Sequence, residues 1–260
     1  WSNFDRFIGD AKAAGLETMI TFGFSPAWAT GVGSGDSHYD NGAVPISSSN
    51  APTSMTDWTD MVGAVFNRYG NQIDFAECWN EPETTAFYNG TNTQYAQLLR
   101  LLNQTAKGIH SGVKIVGPAS SNVSSQGRSK LTNILTASDG AGGTGAGSAG
   151  LATIWLDVVS FHQYFSGPLN LSLFVSDYAA YKAVLSGAGL GALPLWCDEL
   201  GVNQVHAAGA DDSPNARSPQ MLAYLLRMIY LMAASGVQRV NLYDIDGGRL
   251  SPFYYASDPD

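Results

Sequence analysis

Residues 58–82 read WTDMVGAVFNRYGNQIDFAECWNEP, and within them the hydrophobic period changes once. Trp58, Met61, Val62, Val65, Phe66 and Tyr69 recur every three to four residues, the spacing of one buried helix face. Ser54 is placed to cap that helix and Gly70 to end it. From Ile73 to Trp79 the pattern becomes a short apolar run, which marks a buried strand. Asn80 and Glu81 follow at the strand's tip, before Pro82, which has no N–H to continue a ladder. The order is helix, stop, strand, acid.

The same unit recurs in both directions. Residues 2–14 predict a helix, with Phe4, Phe7, Ile8 and Ala11 on one face, and Thr18 to Phe24 a buried strand. Residues 30–54, rich in Gly, Ser and Asn, predict a long loop. Downstream, Tyr95, Leu98, Leu99, Leu102 and Ile109 mark a helix, and Val113 to Val116 a strand closed by Gly117-Pro118. Helices are expected over 127–138, 173–186 and 218–236, the last opened by Ser218-Pro219. Strands are expected at 156–161, 193–197 and 237–243, and residues 140–150 form a Gly-rich connector. Strand and helix alternate about six times, which requires a parallel sheet with helical crossovers.

No GxGxxG or GxxxxGK[ST] follows the first strand, which argues against a nucleotide-binding open sheet. Long loops and polar residues instead gather after the strands' C-terminal ends, where α/β barrels carry their chemistry. The expectation is a (β/α)8 barrel in a single domain, 1–260. About six strands cannot close it, so the chain reads as a fragment lacking the first two strands and the last helix. An unusual smaller barrel or an open sheet is the alternative.

The 260 residues include 13 Lys and Arg against 22 Asp and Glu, a formal charge of −9. No basic patch suggests nucleic acid as a partner, and no apolar run of eighteen residues suggests a membrane span. Only two cysteines, Cys78 and Cys197, are present, with no metal-ligand spacing and no HExxH, so neither metal nor cofactor is implied. Abundant small polar residues and scarce Lys suit a secreted or periplasmic enzyme on a neutral substrate, most simply a monomer, although no signal peptide is visible. Four Asn-x-Ser/Thr sequons begin at Asn89, Asn103, Asn122 and Asn170, a number such a composition produces by chance.

Two strands end in acid: the one before Glu81, and Leu195 to Cys197 before Asp198-Glu199-Leu200-Gly201. Parallel strands of one barrel put both glutamates over one mouth, the pair that glycoside hydrolysis needs. Alone, either glutamate could be a strand-end residue capping the next helix. Alternation turns Asp198 to the other face as a structural acid. It also turns Trp196 toward the helices, and Cys78 and Cys197 to opposite sides of the wall, where a disulfide is not expected.

Trp-Asn-Glu-Pro at 79–82, with a second strand ending in Glu199-Leu-Gly, resembles the clan A retaining glycoside hydrolases. Thr21-Phe-Gly-Phe-Ser-Pro-Ala-Trp28 and Arg68-Tyr-Gly70 resemble its β-xylosidase-like members, family thirty-nine. Phe161-His-Gln-Tyr164 resembles the sixth strand of its cellulase-like members, family five. The resemblance implies Glu81 as acid/base, Glu199 as nucleophile and Asn80 as partner of the sugar 2-hydroxyl. It implies that His162 and Tyr164 orient Glu199 and the substrate, though a lone His on a strand is commonly a supporting residue. The clan often ends its eighth strand in Trp, whereas this chain has Asn241-Leu-Tyr-Asp244; Tyr243 can stack on a sugar instead. Trp28, in the loop at the mouth, and Trp79 are further candidate platforms. The implied activity is retaining hydrolysis of a β-linked oligo- or polysaccharide by double displacement. A non-catalytic sugar-binding barrel and an inverting hydrolase are the alternatives.

Overall fold

The computed structural model describes residues 1–31, 49–165, 168–202 and 219–243. Most of the predicted 30–54 loop, the expected N-cap Ser218 and Asp244 lie outside the described residues. The helices are α1 (Ser2–Ala13), α2 (Ala27–Thr30), α3 (Met55–Tyr69), α4 (Asn92–Ile109), α5 (Ser125–Thr136), α6 (Pro168–Gly187) and α7 (Pro219–Ser235). The strands are β1 (Met19–Phe22), β2 (Phe75–Cys78), β3 (Lys114–Ser120), β4 (Val158–Phe165), β5 (Leu195–Val202) and β6 (Arg239–Leu242). All pair in parallel, in the order β1-β2-β3-β4-β5-β6, as a curled half-barrel. Glu17, just before β1, forms an ion pair with Arg239 at the start of β6, so the two edge strands approach each other at their N-terminal ends.

The helices form as their sequence requires. Ser54 Oγ accepts from Thr56 N at 3.2 Å to open α3, and Gly70 closes it at φ 49°. Thr91 and Gln94 form a reciprocal capping box at α4. The outer face of the sheet and the helices share one core, with Val62, Phe66, Ala76, Cys78, Leu98, Leu102, Val159, Phe161, Leu195 and Cys197 in it. Asn103 is buried there, donating to Trp155 O at 2.8 Å, so that sequon cannot carry a glycan.

The inner face carries a separate apolar cluster of Phe75, Val116, Val158 and Trp196, joined by Met19. Trp196 therefore faces inward, not toward the helices as expected. Cys78 and Cys197 share the outer core rather than facing opposite sides, and both thiols are free and buried. The cause of both corrections lies in β5. On β4, Phe161 is opposite Cys197 and His162 is opposite Glu199, leaving Asp198 with no partner. On β6 the same three-residue step, Cys197 to Leu200, matches only Val240 to Leu242. One extra residue in β5 inverts the parity on which simple alternation depends.

A second irregularity corrects β3, which continues through Gly117-Pro118 to Ser120 instead of ending there. That peptide is cis, and β3 shifts register against β4 between Gly117 and Ser120. Tyr95 on α4 supports the irregular backbone by donating its hydroxyl to the Cys78 carbonyl and, at 3.2 Å, to Pro118 O.

Candidate active site

The polar groups of the inner face begin one layer above the apolar cluster, toward the strands' C-terminal ends. Glu77 follows Phe75 by two residues on β2, Ser160 follows Val158 on β4, and Asp198 follows Trp196 on β5. Glu77 accepts from Thr21 Oγ1 at 2.8 Å and Ser160 Oγ at 3.0 Å. Sequence reasoning gave Glu77 no role and turned Asp198 outward. The available signals were a charge in a buried apolar run and two adjacent acids, which one strand can aim inward only through a bulge.

Above this layer stand Glu81 and Glu199. Glu81 lies on the turn after β2 at φ 39°, with its N–H donating to Ala119 O at 3.0 Å. Trp79 at φ 62° and Ala119 at φ 54° are also left-handed, so three non-glycine residues around Glu81 hold conformations that cost about 1–3 kcal/mol each. Such strain concentrates where side-chain placement matters more than stability. Glu199 sits within β5 rather than at its end, since the strand runs to Val202.

His162 on β4 joins the two glutamates. Its Nδ1 lies 2.9 Å from Glu81 Oε1 and 3.2 Å from Glu199 Oε2. Two atoms at those distances from one nitrogen are separated by no more than the sum, 6.1 Å. His162 is buried, and burial alone would lower its pKa. The hydrogen bond to Glu81 and the negative charges of Glu199, Glu77 and Glu81 outweigh that and raise it. Tyr164 donates its hydroxyl to Glu199 Oε1, and its own pKa rises through burial and that contact.

Glu199 Oε1 thus accepts a hydrogen bond from Tyr164 while Oε2 lies beside the His162 ring, surroundings that suit an ionised carboxylate. Burial nonetheless pushes Glu199 above the usual range, with the His162 charge and the Tyr164 hydroxyl pulling against it. Gly201 makes room for this arrangement, because a Cβ there would lie 2.2 Å from the Tyr164 ring. Beyond Tyr164, the half-exposed ring of Tyr243 meets it edge-on at 6.4 Å.

Asn80 is half-buried beside Glu81, and among the described residues no group holds its amide. Trp79 is fully buried, stacked 6.0 Å from Trp58 and donating to Phe87 O, so it is no sugar platform. Trp28 is 75% exposed and lines a cavity of about 110 Å³ with Phe24, Pro26, Pro52, Trp58 and Met61. That cavity includes neither glutamate. Among the described residues no group of three His, Cys, Asp or Glu side chains is arranged to hold a metal ion, and no helix is long and apolar enough to cross a membrane.

No protein-family model and no curated protein matches the sequence. Solved structures do. A glucosidase from Croceicoccus marinus superposes with a TM-score of 0.64 at 14% identity, over 97% of this chain and 47% of its own. A family 39 β-xylosidase from Caulobacter crescentus gives 0.63 at 18% identity, over 94% and 49%. An endo-β-1,4-mannanase double mutant from Cellulomonas fimi gives 0.56 at 14%, over 92% and 51%. The fold is that of clan A glycoside hydrolases. The chain spans about half the length of these structures, and the likeness at such identities is one of fold. The three enzymes act on different sugars by name, so the fold does not select one.

Proposed function

We propose that the protein is a glycoside hydrolase that cleaves β-linked oligo- or polysaccharides with retention of configuration. In this reading the six strands correspond to consecutive strands of an eight-stranded (β/α)8 barrel, and the enzyme works outside the cytoplasm. The observation that carries it is the shared imidazole: Glu81 and Glu199 meet at His162 Nδ1. Retaining enzymes hold their carboxyl groups about 5–5.5 Å apart and inverting ones about 6.5–9.5 Å apart. The 6.1 Å ceiling on the bridged oxygens favours the first geometry.

Glu199, with Oε1 held by the Tyr164 hydroxyl and Oε2 beside the His162 ring, attacks the anomeric carbon as the carboxylate. Glu81 Oε1 accepts from His162, which leaves Oε2 to carry the proton given to the departing oxygen. The C–O bond breaks as the Glu199–sugar bond forms, and the aglycone leaves with the Glu81 proton. Glu81, now ionised, takes a proton from water, whose oxygen displaces Glu199 and restores the starting enzyme. Asn80 is placed for the 2-hydroxyl, and Tyr243 offers an aromatic face beside Tyr164. Proton NMR of the first-formed anomer from an aryl β-glycoside tests the proposal. A β product is expected; an α product, or no hydrolysis across aryl glucoside, xyloside and mannoside, overturns it.

A further inference from the structure

Below the two glutamates lies a second pair of acids that this mechanism does not use. Asp198 is almost fully buried, and neither of its oxygens has a donor among the described residues. Its nearest cation is His162, whose Nε2 is 3.8 Å from Asp198 Oδ1, too far for a hydrogen bond. The Ser160 hydroxyl is also near Asp198, but its one hydrogen is donated to Glu77, and its oxygen accepts from Ala119 N at 2.9 Å. The acid beside Asp198 is Glu77, itself buried, with each oxygen accepting one hydrogen bond. Ionising both would bury two like charges with Asp198 lacking any donor, while one proton between them supplies the hydrogen bond that Asp198 is missing.

We propose that Glu77 and Asp198 share one proton and act as a fixed single negative charge beneath His162, keeping the imidazole protonated toward Glu81 and Glu199. They are positioning residues, acting through His162 and not on the sugar. The inference deepens the glycosidase reading, since the group they tune lies between its two glutamates. Burial, followed by the like charge of Glu77, holds the Asp198 carboxyl well above the usual range, in keeping with a retained proton. The titratable groups around Asp198 are Glu77 from β2, His162 from β4, its chain neighbours Cys197 and Glu199, and Tyr181 from α6. Arg239 of β6 is engaged elsewhere, with Glu17 and with the Trp196 ring, 4.0 Å from its centroid.

The test has a part that needs no activity. At neutral pH the infrared spectrum of the full chain should contain a protonated-carboxyl carbonyl band that Asp198→Asn removes. The same variant should lower the pH-dependence of urea unfolding from about pH 4 upward by one proton, tenfold in the folding constant per pH unit. The second part is the pH profile. Asp198→Asn and Glu77→Gln each leave one negative charge, so the alkaline limb of kcat/KM stays in place. The double variant removes the charge, and the limb moves down by about one pH unit, a roughly tenfold loss at a pH on the limb. A band unchanged by Asp198→Asn, or a single variant that shifts the limb as far as the double, overturns the shared proton. If the wild type hydrolyses no glycoside but the band and linkage behave as stated, the glycosidase reading fails and the proton sharing stands.

Discussion

Phe75, Val158 and Trp196 on one level of the sheet's inner face, and Glu77, Ser160 and Asp198 on the next, are two residues apart on the same three strands. The lower level is packed like any core: the Phe75 and Trp196 rings meet edge-on at 4.7 Å, and Arg239 lies over both. The upper level buries carboxylates, which is unfavourable unless each has a partner. Strand geometry is therefore neutral between the two. The lower level should govern stability with little say in chemistry, and the upper the reverse.

The largest effect that could break this division is at Glu199. Glu199→Gln should lower kcat by about 10⁴-fold while leaving the unfolding midpoint near that of the wild type. Activity within tenfold of wild type would remove Glu199 from the chemistry. Glu81→Gln should cost about 10³-fold, and much less with an activated aryl leaving group that departs without a proton. An equal loss on both substrates would show that Glu81 is not the acid. In the lower level, Trp196→Ala should cost about 3–5 kcal/mol in stability while the folded fraction keeps its specific activity. Gly201→Ala sits between the levels in character. It forces the Tyr164 ring off Glu199 and should lower kcat about tenfold, with a smaller change in melting temperature.

The same contrast marks how far the sequence could be read. Among the described residues, periodicity located all six strands and six of the helices, because hydrophobic spacing is set locally; the short α2, only Ala27–Thr30, escaped. Glu81, Glu199, His162, Tyr164 and Tyr243 were visible as residues, and the structure gathers them. Trp28 was visible too, but its cavity lies apart from the glutamates. Trp79, offered as a platform, is instead core, and the misreadings of which way a side chain faces sit at register breaks. Asp198, Trp196 and the cysteines were assigned by counting in twos along β5, and one bulged residue reverses every count across it. The Gly117-Pro118 pair looked like a strand end because proline lacks a donor, yet β3 continues by shifting register there. Bulges depend on what the neighbouring strands tolerate, which a single strand's sequence does not contain.

The smallest effect separates the buried Asp198 from the histidine above it. A histidine whose folded pKa is raised adds stability that is complete below its unfolded value, near 6.5, and is lost as pH rises through the folded value. His162→Gln should therefore flatten the stability profile above about pH 6.5, by at most one proton, or about 1.4 kcal/mol per pH unit. Asp198 acts in a different window. An acid with a raised folded pKa loses stability from its unfolded value, near 4, upward. Difference profiles of unfolding free energy against pH should thus begin to diverge from wild type near pH 4 for Asp198→Asn and near pH 6.5 for His162→Gln. If the His162→Gln profile stays parallel to wild type through pH 8, the charges of Glu81, Glu199 and Glu77 do not hold a proton on the imidazole. The acids of the upper level would then stand beside a neutral imidazole, and His162 would serve them as a hydrogen-bonding group and not as a counter-charge.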